Sequence, residues 1–113
     1  MLGKVLILAR EELVAALLGL MVELQGQEPK FVGPAESVEK AIQHERPDAV
    51  VIDCDHPDCS EDLLEAIRKA DALPILFSPF RRQAEVLAVA ARHGTKSFTL
   101  PTDPDTFAKM LET

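Results

Sequence analysis

Ala49-Val50-Val51-Ile52 is an unbroken apolar run, preceded by Pro47-Asp48 and closed by Asp53. A strand whose consecutive residues are all apolar has no wet face, so both of its sides must be covered. That requirement disfavours a one-sided antiparallel sheet and points to a parallel sheet with helices on each face. Lys4-Val5-Leu6-Ile7-Leu8 and Pro74-Ile75-Leu76-Phe77-Ser78 repeat the pattern, and Lys96 to Leu100 gives a further strand. Phe31-Val32-Gly33 reads as a weaker one.

The segments between these runs have helical spacing. Glu11 to about Leu24 forms the first helix and ends at the turn-like Gln25-Gly26-Gln27-Glu28-Pro29. Ser37 caps a helix bearing Val38, Ala41 and Ile42. Asp58 with Glu61 makes a capping box ahead of Leu63, Leu64 and Ile67. A fourth helix spans about Arg82 to Arg92, with Gly94 as its left-handed C-cap. Pro101 breaks the last strand, and Asp103-Pro104 opens a final helix over about Asp105 to Thr113. Alternating strands and helices predict one domain over residues 1–113, a doubly wound five-stranded parallel sheet.

Composition narrows the function classes. The net charge is −7, with no basic-aromatic patch, so direct nucleic-acid binding is not expected. No apolar run reaches the roughly 18 residues of a membrane span, and no secretory leader pattern is present. Two cysteines suit a reducing cytoplasm. In parallel α/β sheets ligands sit beyond the carboxyl ends of the strands. The residues that decide function are therefore Ala9, Arg10, Glu11, Asp53, Ser78 and Leu100.

Pro47-Asp48-Ala49-Val50-Val51-Ile52-Asp53-Cys54-Asp55-His56-Pro57 resembles the phosphoacceptor segment of response-regulator receiver domains. That family's pattern is Pro-Asp, four apolar residues, Asp, and Pro four positions on. The resemblance extends over essentially the whole chain and implies a flavodoxin-like α/β fold. It places Asp53 at the phosphoacceptor position, Ser78 at the switch hydroxyl and Leu100-Pro101 at the family's Lys-Pro. It also implies a Mg²⁺ site built from the acceptor and two further acids, a lysine on the phosphoryl oxygen and a histidine kinase as donor.

The sequence departs from that pattern where the chemistry is most demanding. Ala9 and Arg10 stand in the places of the two acids, and Leu100 replaces the lysine. Glu11 and Glu12 lie close by, but recruiting them by a one-residue slip would turn the first strand inside out. Phe98 or Ser97 takes the family's aromatic position. Losing two carboxylates and gaining a guanidinium shifts the pocket by about three positive units, enough to weaken divalent-cation binding sharply. Arg10 either forks onto Asp53 or stays an uninvolved exposed cation.

Other readings compete around Asp53. Cys54, Asp55, His56 and Cys59 are metal-ligand types, yet their spacing is not a zinc signature. Strand alternation turns Cys54 away from Asp53, leaving it a core thiol and Cys59 exposed at a helix start. Asp53 and Asp55 are at most weak metal candidates. His44 and His93 suit helix C-termini.

The helices carry excess apolar surface. Val14, Leu17, Leu18 and Met21 form a core stripe on the first helix, and Leu13, Leu20 and Leu24 extend a second. Val86 and Val89 add to the fourth helix, beside Ala84, Leu87, Ala88 and Ala91. Surplus of this kind marks an interface, most naturally on the first and last helices. The expectation is a non-enzymatic, cytoplasmic receiver-like module without cofactor, retaining the fold and losing Mg²⁺-dependent phosphorylation. It would work through a protein partner or a homodimer, with no direct role for nucleic acid or membrane. A true phosphoacceptor at Asp53, served by a histidine kinase, is the alternative, and a metal or thiol site at 53–59 is a third.

Overall fold

The computed structural model describes residues 3–33, 35–100, 102 and 104–111. Five strands alternate with five helices: β1 (Lys4–Leu8), α1 (Glu12–Leu24), β2 (Glu28–Phe31), α2 (Val38–Glu45), β3 (Ala49–Asp53), α3 (Glu61–Lys69), β4 (Leu73–Ser78), α4 (Gln83–His93), β5 (Lys96–Thr99) and α5 (Pro104–Leu111). All neighbouring strands pair in parallel in the order β2-β1-β3-β4-β5. The fold is the flavodoxin-like doubly wound sheet that the apolar runs demand.

Strand alternation divides the core in two. Leu6, Leu8, Val50, Ile52 and Leu76 pack toward α2, α3 and α4, against Ile42, Leu64 and Ile67. Val5, Ile7, Val51, Ile75 and Phe77 pack toward α1 and α5, against Leu18, Val22 and Phe107. Phe98 stacks on Phe77 at 5.5 Å between ring centres and meets the edge of Phe107 at the same separation. This ring stack fastens α5, a short helix, to the sheet. Every residue of β3 is buried.

Local signals set several of the helix ends. Ser37 Oγ accepts the Lys40 amide at 3.2 Å, and Gly94 closes α4 in the left-handed region at φ 63°. The cap of α3 differs from expectation: Ser60, not Asp58, accepts the Leu63 amide. Asp58 instead donates its amide to His56 Nδ1, which fixes the preceding turn. Helix α1 starts at Glu12 rather than Glu11, and β5 ends at Thr99, one residue before Leu100. Thr113 and Pro101 lie outside the described residues.

The second strand is displaced toward the N-terminus. It runs over Glu28–Phe31, in what reads as a turn, rather than over Phe31-Val32-Gly33. The Glu28 amide donates to the Gly3 carbonyl at 2.8 Å. Alternate amides along a strand point opposite ways, so the nitrogen of Pro29 faces away from β1 and no ladder bond is lost. Proline is tolerated because β2 is an edge.

Helix α1 lies close against that edge: a Cβ on Gly19 would come within 2.9 Å of Phe31 Cζ. Leu18 and Val22 are buried beneath it, whereas Leu17, expected in the core, is 47% exposed. On α4 the correction runs the other way. Val86 is buried and so is not free for an interface, while Val89 is partly buried against the α2–α4 core. The face of α4 that meets the sheet is the Val86/Ala90 side, leaving Leu87 outside.

Candidate functional site

The carboxyl ends of β1, β3 and β4 bring together Arg10, Asp53, Asp55, Ser78 and Arg81. Asp53 ends β3 and is 1% exposed. Both of its oxygens are engaged: Oδ1 accepts the Asp55 amide at 2.8 Å, and Oδ2 accepts Arg10 Nε at 3.0 Å. Arg10 enters from the turn after β1, the place where the resemblance calls for an acid. Its guanidinium is held protonated above its ordinary range, first by the hydrogen bond to Asp53 and then by that carboxylate's charge. Of the two sequence alternatives for Arg10, the structure adopts the pair.

A second arginine, which sequence reasoning missed, completes the cluster. Arg81 donates to both oxygens of Asp55, with Nε at 2.9 Å and Nη2 at 2.6 Å. Hydrogen bonding from Arg81 depresses the Asp55 carboxyl below its ordinary value, and burial opposes it only in part. Ser78 positions this arginine. Its buried Oγ accepts the amides of Phe80 at 3.2 Å and Arg81 at 2.9 Å, turning the chain back over the site. The signal was present in Ser78-Pro79-Phe80-Arg81, a serine followed by a turn at a ligand-bearing strand end, but the turn's direction is a tertiary fact.

The other expected pocket residues are less central. Ala9 places a methyl group where an oxygen ligand would be needed, and it packs against the α1/α5 core. Glu11 is the exposed N-cap residue of α1, extended in backbone, and contributes only a minor field at Arg10. Leu100 donates its amide to the Ser78 carbonyl at 3.3 Å, and its half-buried side chain joins the α1/α5 core. Lys96 sits at the opposite end of β5, with Nζ 3.5 Å from the Met110 carbonyl. Phe98, buried between two rings, fills the core rather than the site.

Cys54 and Cys59 both differ from expectation. Strand geometry stops at Asp53, so alternation no longer turns Cys54 away; its Sγ, with carboxylate oxygens of Asp53 and Asp55, forms a group lying within 4.8 Å. Burial pushes the Cys54 thiol up to about 11. Cys59 is half-buried against the α2–α4 core rather than exposed, and burial raises its thiol as well. Protonated thiols are poor metal ligands and poor nucleophiles. His44 and His93 occupy helix last turns, and His93 Nδ1 also lies 2.5 Å from Glu61 Oε1.

The fit to Mg²⁺ is poor. A hard cation needs several oxygen ligands. Here the two carboxylates nearest one another are each bound by a guanidinium, and the remaining first-strand position is an alanine.

Comparison with solved structures gives the fold its class. The signal receiver domain of a modulated diguanylate cyclase from Desulfovibrio desulfuricans G20 matches at a TM-score of 0.78 and 20% identity, over 98% of this chain and 91% of that one. The receiver domain of a sensor histidine kinase from Pseudomonas aeruginosa PAO1, described with a magnesium ion in its active-site cleft, matches at 0.75 and 14%, over 98% and 95%. A chemotaxis protein of Vibrio cholerae matches at 0.75 and 15%, over 98% and 97%. No protein-family model and no curated protein matches the chain. The chain thus has the fold of these receiver domains. No helix among the described residues is long and apolar enough to cross a membrane.

Proposed function

We propose that this chain is a receiver-like signalling module that acts through protein contacts, with its acceptor site closed by an internal cation. It is a binding module of the cytoplasm rather than an enzyme. The observation behind this reading is the Arg10 Nε to Asp53 Oδ2 contact of 3.0 Å at a carboxylate buried to 1% exposure. A guanidinium in that position supplies the positive charge that Mg²⁺ supplies in a competent acceptor site, and it stands in the way of an incoming phosphoryl group. Arg81 removes Asp55 as a substitute ligand. Leu100 offers no ammonium group to a phosphoryl oxygen.

Incubation with Mg²⁺ and acetyl phosphate, followed by intact-mass spectrometry, tests the reading. No phosphoryl adduct is expected on the native chain. An adduct that disappears in Asp53→Ala would establish the genuine phosphoacceptor in its place. In a companion titration, Arg10→Asp should raise Mg²⁺ affinity roughly tenfold or more by restoring an oxygen ligand and removing a cation. Unchanged affinity would mean that Arg10 is not what closes the site.

A further inference from the structure

Seven large apolar side chains are exposed among the described residues, and four of them lie on α1: Leu13 at 84%, Leu17 at 47%, Leu20 at 55% and Leu24 at 70%. Their successive spacings alternate between four and three residues, the repeat of a coiled-coil seam. At 3.6 residues per turn they fall within about 60° of arc, on the side opposite the buried Leu18 and Val22. The ridge therefore points straight away from the sheet, and neither α5 nor β2 covers it.

The spacing is also its own mirror image. Read backwards, Leu24, Leu20, Leu17 and Leu13 repeat the same intervals, so an antiparallel copy of the helix matches Leu13 to Leu24 and Leu17 to Leu20 throughout. Charge selects the same direction. Helix α1 carries Glu12 and Glu23 and no Lys or Arg. A parallel pair would set each glutamate beside its own copy, in a chain whose net charge is already −7. The antiparallel pair sets Glu12 beside Gln25 and Glu23 beside Val14, separating the like charges.

We propose that the leucine ridge of α1 pairs with the same ridge of a second copy, antiparallel, about a two-fold axis passing between Leu17 and Leu20. Such a contact is isologous, closing as a dimer rather than growing into a filament. The proposal does not depend on whether Asp53 accepts a phosphoryl group.

Sedimentation equilibrium of the full chain in reducing buffer tests it. A concentration-dependent shift to twice the monomer mass is expected, and a monomer at every concentration overturns it. Leu20→Glu should weaken the association roughly 30-fold or more. Should that variant fold poorly by circular dichroism, Leu13→Glu, at the most exposed of the four positions, gives the same readout. A dimer that survives either change uses another face, such as Leu87 on α4, and the proposal fails. The register has its own test: Leu13→Glu and Leu24→Lys each dissociate alone, and mixing them should restore a heterodimer through a Glu–Lys contact. Failure of the mixture to associate excludes the antiparallel pairing.

Discussion

Two arginine–aspartate pairs stand side by side at the carboxyl edge of the sheet, and they differ in nearly every respect. Arg81 holds Asp55 with two short hydrogen bonds in fork geometry, yet a quarter of the Asp55 side chain remains in water. Arg10 touches Asp53 through one nitrogen at 3.0 Å, but that carboxylate is almost wholly enclosed. Counting bonds would rank the Arg81 pair first. Burial reverses the order, because an enclosed carboxylate that loses its partner has no water to turn to, while an open one is resolvated at once. The pair with fewer bonds is the structural one.

Substitutions can break this ranking. Arg10→Ala should cause the largest loss of stability of those considered, since it strands a buried charge; a denaturant midpoint no lower than that of Arg81→Ala would refute the comparison. Ser78→Ala should follow, at about 1–3 kcal/mol, because the amides of Phe80 and Arg81 both lose their acceptor. Its effect should reach Asp55 and spare Asp53, which NMR of the aspartate carboxyl carbons can resolve. Asp53→Asn should change stability by only about 1 kcal/mol or less: it removes the buried charge together with the cost of burying it, and Arg10 can turn to solvent.

Arg81→Ala should have the smallest effect on stability and the clearest effect on titration. The folded-state carboxyl of Asp55 is depressed, so its pair adds stability at neutral pH that is lost as pH falls through and below the ordinary carboxylate range. In Arg81→Ala the Asp55 titration should move upward toward that range and the acid-side loss should shrink. Added salt should weaken the Arg81 pair more than the Arg10 pair, as screening acts on exposed charge. Equal salt sensitivity would mean that Asp53 is less enclosed than its exposure indicates.

Much of the fold was legible because it rests on local or strongly periodic features. The both-faced runs ending at Leu8, Asp53 and Ser78, the Ser37 cap and the Gly94 C-cap all appear as read. What misled the reading was tertiary. Pro29 looked like a breaker because edge position cannot be seen in one strand. Ser60 rather than Asp58 caps α3 because the helix begins at Glu61, which puts the hydroxyl of Ser60 at the capping position. Leu17 and Val86 exchanged roles across the boundary of the core because a stripe a hundred degrees wide leaves the rotation of each helix open. In the site, the lost acids at Ala9 and Arg10, the gained cation at Arg10 and the lost lysine at Leu100 were visible. Arg81 was not, because its reach to Asp55 depends on a turn set by the hydroxyl of Ser78.

The outward-facing nitrogen of Pro29 has a consequence for assembly. Strand pairing by a stranger requires a row of free amides along the border of a sheet. Along β2 the Glu28 amide is already spent on Gly3, and position 29 has no hydrogen to give. An invading strand would find an interrupted template there. That margin is thereby guarded against amyloid-like addition.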